Sequence, residues 1–279
     1  MRTWQKKRYL QLEVRNMDIV VCIKQVPEVG DAELEINRDG TDIIREDLEF
    51  EINEWDNYAV EEAVRLKEVN GGKVTVVTLG DEDSEDVLRH ALAMGADEAV
   101  RIEEEGFEGS DGLSIAKALY RAVKDLSFDV LMTGVQSSDD GWGLVGVYLA
   151  GMLNLPFATM VIKIEKTEDG IIINRELEAN TQERLEMTLP AVLTIQTGIN
   201  TPRYVSIMGI QKVRKVAINE VSADELGLES EDIGSGGSIF SSLHFSMPQL
   251  GEGAEMLTGS IEKMSEEAAG IIRDKGGMS

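Results

Sequence analysis

The amino-acid sequence predicts a doubly wound α/β fold with a mostly parallel sheet, an antiparallel addition and a C-terminal arm. Three observations support this fold class. Short β-branched runs with almost no polar interruption are typical of strands buried on both faces of a parallel sheet. Amphipathic segments separate these runs, and such alternation of strand and helix specifies a doubly wound sheet. After residue 156 apolar and polar residues alternate, which indicates antiparallel strands.

The first half of the chain contains four predicted strands, each followed by a helix. Glycine or proline follows three of the helices, at residues 71–72, 95 and 156, and marks where each helix ends. Between the first strand and the first helix, residues 27–52 lack a helical period and predict a long excursion with a small hairpin. In chain order the predicted elements are strand 19–23, helix 53–70, strand 73–79, helix 85–94, strand 98–102, helix 114–126, strand 128–133 and helix 143–153.

The second half of the chain is predicted to complete the α/β domain and then to continue as a linker and a terminal helix. Asp169 and Gly170 form a turn between antiparallel strands, and a short basic helix follows residue 204. Acids, glycines and serines dominate residues 220–250, which predicts a linker to an amphipathic helix. The predicted elements are antiparallel strands 159–164, 171–175 and 185–188, strand 193–196, the basic helix with Lys212, Arg214 and Lys215, and helix 262–273 closed by Gly276 and Gly277.

These patterns predict three regions. Residues 1–16 are an N-terminal extension outside the fold, and Met17 directly precedes the first strand, so translation starts at Met1 or at Met17. Residues 17–219 form the α/β domain. Residues 220–279 form the linker and a C-terminal helix that serves a partner surface.

Composition excludes several classes of function. The 279 residues include 52 acidic and 27 basic side chains, and the net charge of −25 repels nucleic acid and anionic lipid. One cysteine and two histidines exclude an internal disulfide and leave no cysteine cluster for a metal. No run approaches the roughly 18 apolar residues of a membrane helix, so we expect no direct membrane insertion. The first residues lack the apolar core of a secretory signal, and we expect a cytoplasmic location.

Gly141, Gly143 and Gly146 match the dinucleotide-binding pattern G-x-G-x-x-G, with Glu165 about twenty residues further on. The context does not suit that motif. The glycines follow the fourth strand, six residues separate them from Gly134, and a dinucleotide phosphate would meet acidic side chains at 139 and 140. We therefore reject a Rossmann-type NAD site at these glycines.

Two polar segments still suit a nucleotide. Residues 137–140 lie between a strand and a helix whose first turn offers free N–H groups to an anion. Residues 53–56 begin another helix, and both segments belong to the carboxyl edge of the sheet, where open α/β folds bind ligands. A simpler explanation exists for each segment. The aspartates and Asn53 can merely cap their helices, and Trp55 can merely pack against the first turn.

Six blocks resemble, in the same order, landmarks of electron-transfer flavoprotein beta subunits. The resemblance covers residues 18–216 and agrees with the Rossmann-like, adenine-nucleotide α-hydrolase-like domain of that family. The blocks are Cys-Ile-Lys-Gln-Val-Pro at 22–27, Asn-Glu-Trp-Asp at 53–56 with Ala-Val-Glu-Glu-Ala at 59–63, Ala-Leu-Ala-Met-Gly-Ala-Asp at 91–97, Gly-Val-Gln-Ser-Ser-Asp-Asp at 134–140, Leu-Pro-Ala-Val at 189–192 and Asn-Thr-Pro-Arg-Tyr at 200–204.

The resemblance implies an electron carrier rather than a classical enzyme. In such a heterodimer the alpha subunit carries the redox FAD, and the beta subunit holds AMP or, in flavin-bifurcating members that oxidise NADH, a second FAD. The implied cofactor-binding residues are Cys22, Asn53, Glu54, Trp55, Asp56, Leu79, Ser137, Ser138, Asp139, Asp140, Gly141, Trp142, Gly143, Leu144, Val145, Gly146 and Val147.

The resemblance also implies partners. Residues 197–204 are similar to the loop with which the family docks dehydrogenases of the acyl-CoA type, with Ile199 at the apolar anchor position. A membrane quinone oxidoreductase is implied as an acceptor of the complex. The implied docking residues are Thr197, Gly198, Ile199, Asn200, Pro202, Arg203 and Tyr204.

The chain departs from the family pattern at two places. Val29 stands where several relatives have an aromatic residue near the partner flavin, and Trp142 and Gly143 replace more polar residues. These departures leave AMP and FAD both open.

The main alternative is a stand-alone adenine-nucleotide stress or signalling module. Its G-x2-G-x9-G-S/T loop is absent, because six non-glycine residues follow Gly134. A second alternative, an adenylating enzyme, needs a Ser-Gly-Gly-x-Asp loop where this chain has Lys-Gln-Val-Pro-Glu at 24–28. His90 and His244 form no recognisable catalytic set with a nucleophile, which also argues against an enzyme.

Overall fold

The computed structural model describes residues 16–30, 34–45, 48–241, 244–248 and 253–275. These residues form eleven strands, seven α-helices and two short 3-10 helices at Glu82–Ser84 and Glu178–Asn180. The strands are β1 (Ile19–Cys22), β2 (Gln25–Pro27), β3 (Phe50–Ile52), β4 (Val74–Gly80), β5 (Glu98–Glu103), β6 (Val130–Gly134), β7 (Phe157–Lys166), β8 (Gly170–Glu176), β9 (Gln182–Thr188), β10 (Ala191–Ile195) and β11 (Ile218–Val221). The helices are α1 (Glu54–Asn70), α2 (Glu85–Met94), α3 (Gly112–Val123), α4 (Val145–Leu153), α5 (Ile207–Val213), α6 (Gly234–Gly237) and α7 (Ile261–Asp274).

The main sheet confirms the predicted fold class. Its nine strands run in the order β11-β5-β4-β1-β6-β10-β7-β8-β9, and every pair from β11 to β7 is parallel. The strand β8 is antiparallel to both of its neighbours, β7 and β9, and these strands form the predicted addition. The strands β2 and β3 form a separate antiparallel pair that flanks residues 28–49 in the chain. Within the excursion, a single antiparallel bridge between Ile36 and Ile43 corresponds to the small hairpin that was expected there.

Alternate residues of the central strands face opposite sides of the sheet. Ile19 and Val21 of β1 belong to the apolar cluster that includes α1 and α2, whereas Val20 and Cys22 belong to the cluster that includes α3 and α4. A strand with apolar residues on both faces needs a helical layer on each side. This requirement explains the uninterrupted apolar run that predicted the strand.

The predicted linker at 220–250 is wrong for its first part. Residues Ile218–Val221 form β11, which pairs in parallel with β5 at the sheet edge. Leu228 and Ile233 are buried in the apolar cluster of α3 and α4. The acidic and glycine-rich composition is that of a linker, but a few apolar side chains are enough to hold the segment on the domain.

The described chain divides into two compact units. One contains residues up to Glu35 and from Ile44 to 241, and the other contains Ile36–Ile43 and the residues from His244 onward. The first unit holds the sheet and both apolar clusters. The expected extension at 1–16 lies outside the described residues except for Asn16, and so do Gly276 and Gly277. No helix of the described part has the length and apolar character required to cross a lipid bilayer.

Candidate functional site

The strand order reverses between β1 and β6. From β1 the chain proceeds to β4 and β5 on one side, and then returns to β6 on the other side of β1. Connections that leave neighbouring strands in opposite directions open a crevice at their carboxyl ends, where α/β proteins bind ligands. The residues after β1, the first turn of α1 and the loop between β6 and α4 meet at this point.

Asp56 joins the two strands at the crevice. Its Oδ2 accepts a hydrogen bond from the backbone N–H of Lys24, just after β1, at 2.8 Å. Its Oδ1 accepts from the backbone N–H of Gly134, the last residue of β6, at 2.7 Å. Burial raises the pKa of Asp56 to about 7, although the hydrogen bonds from Gly134, Lys24 and Asn53 oppose the rise. The carboxyl group therefore bridges strands and does not cap α1.

Asn53 precedes α1, but its side chain makes no capping hydrogen bond. Its Nδ2 donates to the carbonyl oxygen of Gln136 at 2.8 Å, and its Oδ1 accepts from the N–H of Ser138 at 3.2 Å. The side chain is buried, with 1% of the residue exposed. The start of α1 thus holds the loop after β6, and the simpler explanation of Asn53 as a cap is wrong.

Lys24 is a site residue that the sequence analysis missed. Its Nζ lies 2.6 Å from Asp139 Oδ2 and 2.7 Å from Asp140 Oδ2. Although burial acts to raise it, the pKa of Asp139 lies below its ordinary value because of the Lys24 ammonium. The acids are therefore neutralised in part, and neither is the N-cap of α4. The position of Lys24 directly after the predicted strand 19–23 was the available signal.

The loop before α4 depends on glycine. Gly141 and Gly143 adopt left-handed backbone conformations with φ of 63° and 62°, which favour glycine. Because Gly143 cannot be helical at this φ, α4 starts at Val145, two residues later than predicted. Its N-cap position, Leu144, makes no side-chain cap. The first N–H groups of α4 thus lack a capping side chain and suit an anionic ligand.

Two further glycines allow close packing around the crevice. A Cβ at Gly134 would lie 2.5 Å from Asp56 Oδ1 and 2.6 Å from Trp55 Cβ. A Cβ at Gly146 would lie 2.6 Å from both Thr133 Oγ1 and Thr194 Cγ2. The last glycine of the pattern that matched the dinucleotide motif, Gly146, therefore allows α4 to pack closely on β6 and β10.

The structure brings the remaining predicted cofactor residues to the same edge. Cys22 ends β1 and is buried, and burial together with Asp56 raises the pKa of its thiol to about 12. Leu79 lies next to the carboxyl end of β4, and Glu54 is exposed at the start of α1. The Nε1 of Trp55 donates to Gln196 Oε1 at 2.9 Å, after β10. The other predicted positions, Ser137, Ser138, Gly141, Trp142, Gly143, Leu144, Val145, Gly146 and Val147, lie in the loop or the first turn of α4.

The predicted docking loop is held by α1. Asn200 Nδ2 donates to Tyr58 O at 3.0 Å and to Glu62 Oε2 at 3.1 Å. Arg203 pairs with the buried Glu61 at 2.8 Å and with Glu68 at 2.9 Å. These contacts fix the loop on the helix that also begins the crevice.

Ile199 is not the exposed tip that an apolar anchor requires. It is half-buried and packs against the core. The exposed apolar side chains lie further along, with exposures of 90% at Tyr204, 76% at Ile207 and 68% at Met208. Thr197, Gly198 and Pro202 complete the loop, and the N–H of Thr197 donates to Gln196 Oε1 at 2.9 Å.

The fold and the crevice together define a Rossmann-like α/β protein with a polar cradle at its switch point. The cradle consists of Asn53, Asp56 and Lys24 with the loop before α4. A family model described as electron transfer flavoprotein domain matches residues 41–226. The electron transfer flavoprotein subunit beta of Methylophilus methylotrophus is 37% identical over 261 residues, 92% of this chain and 97% of that protein. The chain therefore belongs to the electron-transfer flavoprotein beta-subunit family.

Two further relatives agree with this assignment. The electron transfer flavoprotein subunit beta of Thermoanaerobacterium thermosaccharolyticum is 38% identical over 248 residues, 88% of this chain and 94% of that protein. The caffeyl-CoA reductase-Etf complex subunit CarD of Acetobacterium woodii is 34% identical over 261 residues, 92% of this chain and 97% of that protein. An electron-transfer flavoprotein role is the function that these relatives support.

Proposed function

We propose that this chain is the beta subunit of a heterodimeric electron-transfer flavoprotein and holds an adenine nucleotide in the crevice at the switch point. The observation that carries the proposal is the cross-bonded cradle formed by Asn53, Asp56 and Lys24 with the loop before α4. These side chains bond across the crevice instead of capping helices. Such a preorganised arrangement suits a bound ligand better than a structural loop.

The residues present fit a nucleotide phosphate. A Cβ at Gly141 would meet no atom of the described chain within 4 Å, so the backbone there is open to a ligand. The uncapped N–H groups of α4 supply positive partial charge for a phosphate, and the ammonium of Lys24 offsets part of the negative charge of Asp139 and Asp140 beside it. Asp139 and Asp140 offer acceptors for ribose hydroxyls. FAD contains an AMP moiety, so the same cradle suits either free AMP or the adenylate half of FAD.

The redox chemistry belongs to the partner in this proposal. FAD held by the alpha subunit would supply the electron transfer between a dehydrogenase and a downstream acceptor. This chain has two roles in the complex. Its crevice holds the nucleotide, and α7 packs on the alpha subunit. No residue of this chain is assigned a catalytic step.

We propose that the surface around the loop at 197–204 docks a dehydrogenase of the acyl-CoA type. The name of the Acetobacterium woodii relative, which assigns that protein to a caffeyl-CoA reductase complex, supports a partner that acts on CoA esters. The exposed Tyr204, Ile207 and Met208 provide an apolar contact of the kind found in the centre of interfaces. A membrane quinone oxidoreductase is the proposed acceptor for the reduced complex.

The proposal is tested by co-purifying the chain with its alpha subunit and measuring the nucleotides released on denaturation. One FAD with one AMP is the result expected for simple electron transfer, and two FAD with NADH oxidation is the result for a bifurcating complex. A stable chain that carries no nucleotide and binds no flavoprotein subunit would contradict the proposal. Bound ATP without a flavoprotein partner would support the signalling module instead.

A further inference from the structure

Residues 234–241, here called the strap, are anchored to the start of α3 by Asp111. Asp111 Oδ1 caps α3 by accepting from the N–H groups of Leu113 and Ser114, both at 3.0 Å. Its Oδ2 accepts from the N–H groups of Ile239 at 2.8 Å and Phe240 at 3.1 Å. Only 3% of Asp111 is exposed, so one buried carboxylate fixes both the helix and the strap.

The strap places an aromatic ring against the loop before α4. The rings of Phe240 and Trp142 lie with centroids 5.3 Å apart and an interplanar angle of 64°, an edge-to-face arrangement. The start of α3 also touches this loop, since a Cβ at Gly112 would lie 3.8 Å from Leu144 Cβ and 4.0 Å from Trp142 Cβ. The strap, α3 and the loop thus form one packed group.

Trp142 stands between the two left-handed glycines of the loop, Gly141 and Gly143. Glycine loses more backbone entropy on ordering than any other residue, so this segment needs an external contact to hold one conformation. The indole of Trp142 is the large side chain between these glycines, and Phe240 packs against it. The contact also gives a structural reason for an aromatic residue in a loop that faces the crevice.

We propose that Phe240 is a positioning residue for the nucleotide: through Trp142 it fixes the glycine loop in the conformation that receives the phosphate. The inference rests on the proposed nucleotide site and adds to it a residue from the segment that the sequence predicted to be a linker. In this proposal Phe240 acts through the ring of Trp142, which it contacts edge to face.

The test compares Phe240→Ala with a matched control in the same strap, Ile239→Ala. Both backbone N–H groups donate to Asp111, but the aromatic contact with Trp142 is made by Phe240. The first readout is hydrogen exchange of peptides covering 137–147 in the full chain, and the second is AMP affinity of the heterodimer. For Phe240→Ala we expect faster exchange in these peptides and AMP binding weaker by about 2- to 10-fold, the range of an aromatic pair. Ile239→Ala should match the wild type, and Phe240→Tyr should retain both properties.

A double-variant comparison separates positioning from general damage. If Phe240 acts through Trp142, then Phe240→Ala adds no further loss in a Trp142→Ala background. Independent, additive losses would overturn the inference, as would loop exchange in Phe240→Ala equal to that of Ile239→Ala. A wild-type heterodimer that binds neither AMP nor FAD in this subunit would contradict the proposed function, and the exchange comparison would still decide whether Phe240 fixes the loop.

Discussion

The carboxyl group of Asp56 accepts hydrogen bonds from the backbone at the carboxyl ends of both strands that flank the switch point. The sequence predicted this residue as part of a site but could not separate a ligand role from a cap. Whether Asp56 caps α1 or bridges the two strands depends on where the backbone N–H groups of Lys24 and Gly134 lie. Those groups are 32 and 78 positions away in the chain, and their approach is a tertiary property.

Asp56 should give the protein a measurable pH dependence. Its pKa is 3.8 ordinarily and about 7 in the folded chain, so the folded state binds this proton more tightly. The resulting stabilisation is complete below pH 3.8 and is lost as the pH rises to 7. In urea unfolding, the advantage of wild type over Asp56→Asn should shrink by about 2 kcal/mol between pH 5 and pH 8. A constant or widening difference would show that Asp56 ionises normally.

Lys24 should affect ligands according to their charge. Lys24→Met leaves Asp139 and Asp140 without this counter-charge beside the proposed phosphate position, so AMP binding should weaken by about tenfold. Adenosine has no phosphate, and its binding should change by less than about twofold. Titration of the heterodimer with both ligands measures the difference, and Lys24→Arg serves as the charge-retaining control. An equal loss for AMP and adenosine would assign Lys24 a purely structural role.

Helix α1 contributes residues to both the proposed nucleotide site and the proposed docking surface. Its start holds the loop after β6 through Asn53, and its following turns hold the docking loop through Glu61 and Glu62. Trp55 adds a third connection through Gln196, which also accepts from the N–H of Thr197. One helix thus connects the proposed nucleotide site to the proposed docking surface.

The packing of α4 predicts opposite effects for two glycines of the same helix. Gly146→Ala forces a Cβ within 2.6 Å of Thr133 and Thr194 and should destabilise the protein by about 1–3 kcal/mol with loss of nucleotide. Gly151→Ala meets no neighbouring atom of the described chain within 4 Å and should be neutral or stabilising by up to about 1 kcal/mol. Urea unfolding of both variants measures these effects. Equal stability would show that α4 can move away from the sheet at no cost.

The sequence predicted elements whose signal is local and missed those whose cause is tertiary. Apolar runs gave β1, β4 and β6 correctly, and the switch-point rule placed residues 53–56 and 137–140 at one edge. The edge strand β11 has no such run. It is held by its ladder with β5 and by the ion pair of Arg101 with Glu220 at 2.8 Å, neither of which a local pattern contains. The contacts of Lys24 and Phe240 were not predicted either, because they also join residues that are far apart in the chain.

At the scale of the whole molecule, both apolar clusters lie between Met17 and Ile233, whereas α7 has no buried residue. The helix is amphipathic and exposes Ile261, Ile271 and Ile272 in the described chain. An apolar face of this kind needs a partner surface. We propose that this surface belongs to the alpha subunit.

Truncation after residue 241 tests that assignment. The shortened chain keeps both clusters and the strap, so its Tm should change by only a few degrees. Its affinity for the alpha subunit, measured by calorimetry, should fall by at least about tenfold because the apolar contacts of α7 are lost. Full-length Ile271→Asp should show the same loss. Unchanged affinity in both variants would place the alpha-subunit contact elsewhere.

The nucleotide content of a matched pair of complexes measures whether the cradle at the switch point holds an adenine nucleotide. The pair is the wild-type heterodimer and its Asn53→Ala variant, which lacks the bonds to Gln136 and Ser138. Mass spectrometry of the released nucleotides should find one adenylate in the wild type beyond the FAD of the alpha subunit. The variant should retain that FAD and lose most of the additional adenylate. Full retention of both nucleotides by the Asn53→Ala complex would contradict the cradle.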